Sequence, residues 1–572
     1  MIYDELSQTR KQLQSEGLLP EWYTTGGYQL LKNNYLWADT PLAQYQAIAK
    51  SAAVYVEGKM PLPAGCTFST WYDVFFNLLW KGWLSPSSPV LSNMGNPSRG
   101  MPVSCSGQYI HDSIEGFYTN LHESAMFSKH GFGTSAYVGD VRPRGTPMMS
   151  NTGKASGVMP VIDMFAQMAN DVSQGSNRRG SIALYIEIDH KDFYEVINKL
   201  EQNPKRYNIG WNVTDAFIEK LNNGDEDSIN RFQETLRVKM ITGKGYFFFV
   251  DKVNRMRPAM LRKSDRFVVK ASNLCSEINL YANEEESFTC VLSSMNLAKY
   301  DEWKDASAVY IATVFLDCVA SEFINQAQSK NILEKAVRFT ENNRAVGLGL
   351  LGFASYLSKN MIPFEDLRAH FINIEIAKLL KTDSHKASED MAKYLGEPKN
   401  CKGFGRRNTH TLAIAPTKST ALLMGGASES ISPHIAMTYT QVTPAGEIER
   451  VNPELVELMK KKNIFSKKHL QEVIERKGSV QDVSWLTDEE KLVFKTAFEI
   501  NQEVLLRYAS QRQRYVDQGQ SINLFFAGDT PEEEIARIHQ IAFLDPYIGS
   551  LYYIYSRKDA VVAKQSECLA CM

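Results

Sequence analysis

Three side chains in the segment 273–297 have the types and spacing to do chemistry together. Cys275 and Cys290 lie fifteen positions apart, and Glu277 follows the first cysteine by two residues. The segment has no paired cysteines and no nearby histidine, so a four-ligand zinc site is disfavoured, and a reducing compartment disfavours a structural disulfide. Core packing and thiol chemistry remain open. In an extended segment Asn273, Cys275 and Glu277 would share one face, where the carboxylate could accept a proton while the thiol does separate work.

The carboxyl-terminal sequence ECLACM contains a second pair of thiols. Cys568 and Cys571 form a CxxC motif, which can cycle between dithiol and disulfide. The alternatives are an incidental exposed pair or half of a metal site, although no second CxxC or suitable histidine lies nearby to complete one. Residues 556–572 have weak periodicity and mixed polarity, which is typical of a mobile tail. A dithiol on such a tail could enter a buried site, exchange, and leave for an external reductant.

Hydroxyl side chains follow a strand-like run in TLAIAPTKSTALL. The run ends at Pro416, and Thr417, Ser419 and Thr420 come at the predicted start of a helix. Hydroxyls and unpaired backbone N–H groups at a helix start suit a phosphate. Ordinary helix capping would account for one of the three hydroxyls.

A polar loop and a tyrosine pair are also open to two interpretations. The segment 171–184 places Arg178 before a predicted strand, where it could bind a nucleotide or belong to a solvated loop. Tyr552 and Tyr553 are adjacent, which is usual for packing residues, yet tyrosine can also pass on an electron and a proton together.

The composition of the chain limits the classes of protein to which it can belong. The chain has 572 residues, a net charge of −2, 44% hydrophobic and 22% charged residues, as expected for a large globular fold. The charge balance disfavours a nucleic-acid polymer as partner. The amino terminus lacks an apolar signal core, and the apolar runs are too short to cross a bilayer. We therefore expect a soluble cytoplasmic protein without membrane association, in which Cys66, Cys318 and Cys401 are packing residues.

Short strands that alternate with helices must position these groups. Residues 1–98 have mostly helical periodicity, and 84–107 is rich in Pro, Gly, Ser and Asn, which indicates loop with short extended pieces. Beyond it the predicted strands are SIALYIEI, GYFFFV, FVVKAS and TLAIAP, with a long helical run at 307–327 among them. This alternation favours an α/β architecture with helices outside a largely parallel sheet.

Taken in order, these motifs resemble the large (alpha, catalytic) subunit of class I ribonucleotide reductase over nearly the whole chain. The matching marks are VSC at 103–105, HDSIEG at 111–116, GFG at 131–133, SQGSNRRG at 173–180, NLCSE at 273–277, TCVLSSMNL at 289–297, APTKST at 415–420, LYY at 551–553 and the terminal CLAC. Each is common alone, whereas their order and spacing are specific. The resemblance implies a helical region at 1–98, a ten-stranded α/β barrel with a central finger loop at 99–555, and a redox-shuttle tail at 556–572.

The resemblance also assigns catalytic roles. Cys275 becomes a thiyl radical that abstracts the ribose 3′-hydrogen, Glu277 takes the 3′-hydroxyl proton, and Asn273 holds the sugar hydroxyls. Cys105 and Cys290 reduce the 2′ position as water leaves and end as a disulfide.

The resemblance implies that partner proteins supply both the reducing electrons and the radical. Cys568 and Cys571 re-reduce the disulfide and are renewed by thioredoxin or glutaredoxin. Tyr552 and Tyr553 receive the oxidising equivalent from a separate small (beta) subunit with a dimetal site, so this chain itself needs no metal or covalently bound cofactor.

Two nucleotide sites are implied as well. The ribonucleoside diphosphate substrate is held by Ser88, Ser104, Gly133, Thr417, Ser419 and Thr420, together with the catalytic residues. A dNTP or ATP effector, with Mg²⁺, is held by Asp112, Ser113, Arg142 and Arg178. Family homodimers place the effector site at the subunit interface, so we expect a homodimer when effector is bound.

Departures from the family pattern put some properties in doubt. The amino terminus lacks the ATP-cone of many large subunits, so overall control by ATP and dATP is not expected. Lys418 stands where glycine or glutamate is more usual, and the sequence around Arg142 leaves Arg144 as a rival. A cobalamin-dependent reductase, or a nucleotide-binding scaffold that has lost the chemistry, are the alternative functions.

Overall fold

The structure is a computed structural model that describes residues 2–96, 98, 100–148, 153–172, 180–443 and 446–557. The helices are α1 Ile2–Ser15, α2 Thr25–Leu30, α3 Pro41–Ala53, α4 Trp71–Trp80, α5 Ser88–Asn93, α6 Ile114–Lys129, α7 Met159–Asp171, α8 Phe193–Gln202, α9 Asp215–Asn222, α10 Glu226–Thr242, α11 Val250–Met256, α12 Tyr300–Trp303, α13 Ala308–Ser329, α14 Glu334–Asn343, α15 Phe353–Lys359, α16 Leu367–Leu395, α17 Lys418–Leu423, α18 Pro453–Lys461, α19 Lys467–Glu475, α20 Asp488–Val493, α21 Gln502–Gln513 and α22 Glu532–Leu544. The strands are β1 Leu84–Pro86, β2 Cys105–Tyr109, β3 Thr134–Tyr137, β4 Ile182–Glu187, β5 Ile209–Val213, β6 Tyr246–Phe249, β7 Phe288–Asn296, β8 Val346–Leu351, β9 Thr438–Thr443, β10 Gly446–Val451, β11 Leu524–Ala527, β12 Ser550–Leu551 and β13 Ile554–Arg557.

Helix starts in the amino-terminal region follow from their capping residues. Thr24, Thr40 and Thr70 each accept a hydrogen bond from the backbone N–H three residues further on, at the starts of α2, α3 and α4. Threonine at this position satisfies one of the backbone donors that a helix start leaves unpaired. The apolar faces of α3 and α4 then pack on α13 in one continuous core with β7 and β8.

The barrel consists of two half-sheets of five parallel segments each. β2, β3, β4, β5 and β6 pair in parallel in that order. In the second half β7 pairs with β8, and the sheet continues through the segments 410–414 and 518–522 to β12. The halves join antiparallel at both edges, where β2 meets β7 and β6 meets β12. The predicted ten-stranded α/β barrel is thereby confirmed.

Two of the predicted strands differ from the observed elements. FVVKAS, residues 267–272, contains a short 3₁₀ turn and then irregular backbone, because this segment leads into the loop inside the barrel. TLAIAP, residues 411–416, forms isolated parallel bridges at Leu412 and Ile414 in place of a regular ladder. Within 84–107, a region predicted as loop, α5 begins at Ser88 with Pro89 in its first turn, a position that proline tolerates.

The longest apolar helix lies inside the protein. α13 has the length and hydropathy to cross a membrane, yet 83% of its most apolar window is buried in the fold. The helix packs against β7, β8, α14 and α16, so its apolarity is explained by the core that it fills.

Candidate active site

The strands that carry Cys105 and Cys290 lie side by side. β2 and β7 pair antiparallel, and the register places Cys105 directly opposite Cys290. Residues in this relation have Cα atoms about 4.5–5.5 Å apart, a separation that a disulfide spans. The two side chains can therefore form and break an S–S bond without movement of the backbone.

A buried loop between β6 and β7 carries Cys275 into the barrel. Cys275 packs with side chains of β3, β4 and β6, and backbone in such a place must have its polar groups bonded by the protein. The anchoring bonds run from Tyr185 Oη to Asn273 O (2.6 Å), from Ser550 Oγ to Ser276 O (2.9 Å) and from Gly519 N to Glu277 O (2.8 Å). Because the donors come from both half-sheets, the loop is fixed from opposite sides.

A tight turn sets the directions of Cys275 and Glu277. Ser276 between them has φ +65°, and Asn273 Oδ1 accepts the backbone N–H groups of Glu277 (3.1 Å) and Ile278 (3.3 Å). The segment is thus a turn, where the sequence pattern had suggested an extended strand. Both side chains nevertheless reach the same cavity.

This cavity collects most of the predicted catalytic and substrate residues. Its lining is Ser85, Ser87, Ser88, Pro89, Ser104, Cys105, Cys275, Glu277, Leu292, Ser293, Ser294, Ala415, Pro416, Thr417 and Thr420. Cys290 lies next to it through its pairing with Cys105, and Asn273 Nδ2 donates to Cys105 Sγ at 3.1 Å. Residues separated by more than 300 positions therefore surround one space with thiols, a carboxyl group and several hydroxyls.

Glu277 is held in an unfavourable environment for a charge. Its side chain is 1% exposed, and its Oε2 has no hydrogen-bond partner among the described residues. Burial raises the pKa of the carboxyl group from 4.5 to about 7, although hydrogen bonds to its own backbone and to Asn273 oppose the rise. A carboxyl group with this pKa can act as a general base near neutral pH.

The tyrosine pair lies against the loop that carries Cys275. The rings of Tyr552 and Tyr553 have centroids 4.0 Å apart, and a third ring, that of Tyr246, lies 4.8 Å from the first and 5.6 Å from the second. Tyr552 is buried in the same cluster as Cys275, whereas Tyr553 is partly exposed. The cluster thus connects the partly exposed end of the pair with the barrel interior.

One row of the parallel half-sheet is rich in tyrosine. The register aligns Tyr109 with Tyr137, Tyr137 with Tyr185, Tyr185 with Gly210 and Gly210 with Tyr246. At Gly210 an added Cβ would lie 2.3 Å from the Tyr185 ring, so the missing side chain leaves room for that ring. The phenol of Tyr185 can then reach the finger loop.

The predicted phosphate residues separate into two groups. Thr417 and Thr420 line the cavity from the start of α17, and Ser88 and Ser104 also line it. Ser104 Oγ donates to Ser87 Oγ at 2.9 Å. Thr417 has φ +53°, an uncommon conformation for a β-branched residue, and its Oγ1 accepts the backbone N–H of Ser430 at 2.7 Å.

Two of the predicted substrate residues do not line the cavity. Ser419 is buried beside Thr420, and its Oγ has no partner among the described residues. Gly133 lies one strand away from the cavity wall, where it bridges to Cys105.

Three of the predicted effector residues, all but Arg178, are described and lie at the start of α6. Arg142 Nε donates to Asp112 Oδ2 at 2.6 Å, and Ser113 Oγ accepts the backbone N–H of Gly116 as the helix cap. Arg144, the rival, makes a two-pronged contact with Glu195 at 2.9 and 2.7 Å. Arg142 therefore lies with Asp112 and Ser113 at the start of α6, whereas Arg144 is paired with Glu195 of α8.

Comparison with known proteins gives the family. The family model described as "Ribonucleotide reductase, barrel domain" matches residues 103–232, 227–404 and 398–553. The putative ribonucleoside-diphosphate reductase large subunit of Frog virus 3 is 33% identical, over 83% of this chain and 86% of its own length. The chain belongs to the ribonucleotide reductase large-subunit family.

Two further relatives of the family bear on its subclasses. The structure of the class Id ribonucleotide reductase alpha subunit from Actinobacillus ureae superposes with a TM-score of 0.85 at 37% identity, covering 96% of this chain and 99% of that one. A vitamin B12-dependent ribonucleoside-diphosphate reductase from Thermoplasma acidophilum is 30% identical over 80% of this chain and 62% of its own. The predicted family, fold and enzyme class, a ribonucleotide reductase catalytic subunit, are confirmed. Membership of the family implies a radical-generating partner and control by effectors.

Some side chains at this ribonucleotide reductase site were not predicted. Tyr246 belongs to the apolar run GYFFFV, which was interpreted only as a strand, so its contact with Tyr552 was not predicted. Ser85 and Ser87 line the cavity from a segment predicted as loop. Gln518 Nε2 lies 3.5 Å from Cys290 Sγ; its sequence, VDQGQS, carries no signal that could have found it.

Three predicted functional residues lie outside the described part of the chain. These are Arg178, in the effector loop, and Cys568 and Cys571, at the carboxyl terminus.

Proposed function

We propose that this chain is the catalytic component of a class I ribonucleoside-diphosphate reductase, which converts ribonucleoside diphosphates to 2′-deoxyribonucleoside diphosphates for DNA synthesis. The observation that carries the proposal is one cavity that joins Cys105, Cys275 and Glu277, with Cys290 in register opposite Cys105. Family membership alone is compatible with a protein that has lost its activity. The assembled thiols and carboxyl group are what the chemistry requires.

The reaction begins at Cys275. Its thiyl radical takes the hydrogen atom from the ribose C3′, so that an S–H bond forms and a C3′ radical remains. Glu277 accepts the proton of the 3′-hydroxyl, which makes departure of the neighbouring 2′-hydroxyl easier. Burial of Cys275 and Glu277, at 5% and 1% exposure, supports this role because radical intermediates must be kept from water.

Reduction of C2′ uses the cysteine pair. Cys105 and Cys290 lose their two thiol hydrogens and form one S–S bond. The ribose loses the C2′–O bond and gains a C2′–H bond, and the oxygen leaves as water. Glu277 then returns its proton to the 3′ oxygen, and Cys275 returns its hydrogen atom to C3′ and becomes a thiyl radical again. Asn273 donates to Cys105 Sγ (3.1 Å), which supports a role for its amide next to the reacting thiol.

The radical enters through Tyr553 and Tyr552 from a small subunit with a dimetal site. The tyrosine cluster supports class I, because it connects the partly exposed Tyr553 with the barrel interior that contains Cys275. Cys568 and Cys571 would then restore the dithiol, with thioredoxin or glutaredoxin as the external reductant, in the reducing cytoplasm where such thiols persist.

The effector, a dNTP or ATP with Mg²⁺, would be held by Asp112, Ser113, Arg142 and Arg178. Directly after this site, Ile114 and Tyr118 lie one helical turn apart on α6 and are 66% and 60% exposed. Exposed apolar side chains at this spacing support a homodimer that covers this face of α6 when effector binds.

Turnover with a small subunit tests the proposal. We expect CDP reduction by the chain together with a small subunit, a dithiol and an effector, and none from Cys275→Ala. Cys318→Ala is the matched control, because Cys318 is equally buried but lies in α13. Deoxynucleotide formation by Cys275→Ala at the rate of the control would reject the thiyl mechanism.

A cobalamin-dependent reductase is the second candidate. The similarity to the vitamin B12-dependent relative favours it. It predicts product formation with adenosylcobalamin and without a small subunit, and full activity in Tyr553→Phe. The class I proposal predicts the opposite result in both assays.

A further inference from the structure

Gln518 has a buried side-chain amide that contacts Cys290, one member of the cysteine pair. The side chain has 0% exposure and belongs to the barrel segment 518–522. Its Nε2 lies 3.5 Å from Cys290 Sγ and 3.0 Å from Val346 O. A primary amide nitrogen carries two hydrogens, so it can donate to both acceptors at once.

The surroundings fix the orientation of this amide. Val346 O can only accept a hydrogen bond, so the nitrogen and not the oxygen of Gln518 must face it. The backbone N–H of Gln518 donates to Leu412 O at 3.1 Å, which holds the residue in register. At Gly347, next to Val346, an added Cβ would lie 3.2 Å from Cys290 Sγ. The sulfur therefore sits in a defined place between a glycine and the amide.

Each sulfur of the pair has its own amide donor. Asn273 Nδ2 donates to Cys105 Sγ, and Gln518 Nε2 to Cys290 Sγ. Hydrogen bonds of this kind strengthen about twofold when the acceptor becomes charged. Burial raises the pKa of the Cys290 thiol well above its ordinary value, and the hydrogen bond from Gln518 opposes that rise.

We propose that Gln518 is a positioning residue for substrate reduction: its amide directs Cys290 Sγ toward Cys105 and stabilises the negative charge that develops on that sulfur as the disulfide forms or is reduced. The inference rests on the redox role proposed for the pair. In the reverse step, a dithiol attacks the S–S bond at Cys105, a new S–S bond forms there, and Cys290 leaves as a thiolate that then takes up a proton.

Reduction of the disulfide by dithiothreitol tests this without turnover. The variants are made in a protein that also carries Cys568→Ser and Cys571→Ser, so that the tail cysteines cannot take part. Each protein is first oxidised, and peptide mapping verifies that the Cys105–Cys290 disulfide has formed. Gln518→Met keeps the length of the side chain and removes the N–H groups. A leaving thiol with a higher pKa is displaced more slowly, so we expect the rate of disulfide reduction in Gln518→Met to fall about threefold or more. In a chain that keeps Cys568 and Cys571, assayed with a small subunit, we expect Gln518→Met to lower kcat about tenfold and to change KM little, since Gln518 is not among the described residues that line the cavity.

The matched control is Gln520→Met. Gln520 is equally buried on the same segment, but its Nε2 donates to Ala509 O and Gln513 Oε1. We expect both rates in this variant to remain near wild type. Wild-type rates in a folded Gln518→Met protein, or equal losses in both variants, would overturn the proposal.

Gln518→Glu keeps the proposal testable where Gln518→Met does not fold. A protonated carboxyl group can still donate to the sulfur, whereas an ionised one repels its charge. The exchange rate relative to wild type should therefore fall as pH rises, and a ratio independent of pH would count against the contact. The exchange assay needs neither partner nor substrate. If the exchange rate depends on Gln518 but the chain reduces no ribonucleotide, the proposed function is rejected while the role of Gln518 stands.

Discussion

Replacement of Glu277 by glutamine should stabilise the protein and inactivate it. In the folded chain burial raises the pKa of this carboxyl group from 4.5 to about 7. Well below pH 4.5 both states are protonated and no stability is lost. Between pH 4.5 and 7 the unfolded chain releases the proton first, so stability falls as pH rises, by about 3 kcal/mol in total at 1.36 kcal/mol per pKa unit. Glutamine, which cannot ionise, avoids this loss.

The effect can be measured by thermal unfolding at two pH values. With an unfolding entropy of about 2.1 cal/mol/K per residue, 3 kcal/mol corresponds to a Tm about 2–3 °C above wild type at pH 8, and to almost no difference at pH 4.5. Loss of a general base should lower CDP reduction by about 10²–10⁴-fold. In the wild type, activity should rise with pH through a midpoint near 7.

Glu454→Gln is the control for the expected changes in Tm and in activity. Burial also raises the pKa of Glu454 to about 7, and its Oε2 has no partner among the described residues, but Glu454 does not line the cavity. It should show the same pH-dependent rise in Tm with unchanged activity. Activity of Glu277→Gln within tenfold of wild type would show that another group takes the proton. A gain in Tm that is independent of pH would show that buried charge is not its cause.

Three further outcomes are expected. Tyr553→Phe should abolish turnover driven by the small subunit and leave Tm within about 1 °C, since the ring is kept and only a partly exposed hydroxyl is lost; thermal unfolding and product assay check both. Arg142→Ala should reduce the effect of the effector on substrate choice in competition assays, whereas Arg144→Ala should leave substrate choice unchanged, because it loses only a solvent-exposed pair with Glu195. Replacement of Cys568 and Cys571 by serine should spare a single turnover in product quantification and stop cycling driven by thioredoxin.

Regular strands could be predicted because they obey local rules. The runs at β4 and β6 are continuously apolar, as expected for parallel strands that are buried on both faces. The family resemblance predicted part of the cavity lining, such as Cys105, Cys275 and Thr417. It missed Ser85 and Ser87, and it included Ser419 and Gly133, which do not line the cavity. The register of Cys105 against Cys290 was not predictable from spacing, since it depends on antiparallel pairing between segments 185 positions apart.

Local reasoning failed where the backbone departs from low-energy conformations. Ser276 and Thr417 both have left-handed φ, at +65° and +53°, which costs of order 1–3 kcal/mol for a residue that is not glycine. Glu277, next to Ser276 in the chain, is buried, and its Oε2 has no hydrogen-bond partner among the described residues. Sequence patterns report preferred conformations and satisfied polar groups, so they cannot predict such positions. Glu277 and Thr417 line the same cavity, and Ser276 lies in the chain between two residues that line it, which supports a functional site there independently of the family resemblance. Core packing does not require these features, whereas the proposed base Glu277 and the proposed radical residue Cys275 would need such a turn and such burial to face a bound substrate.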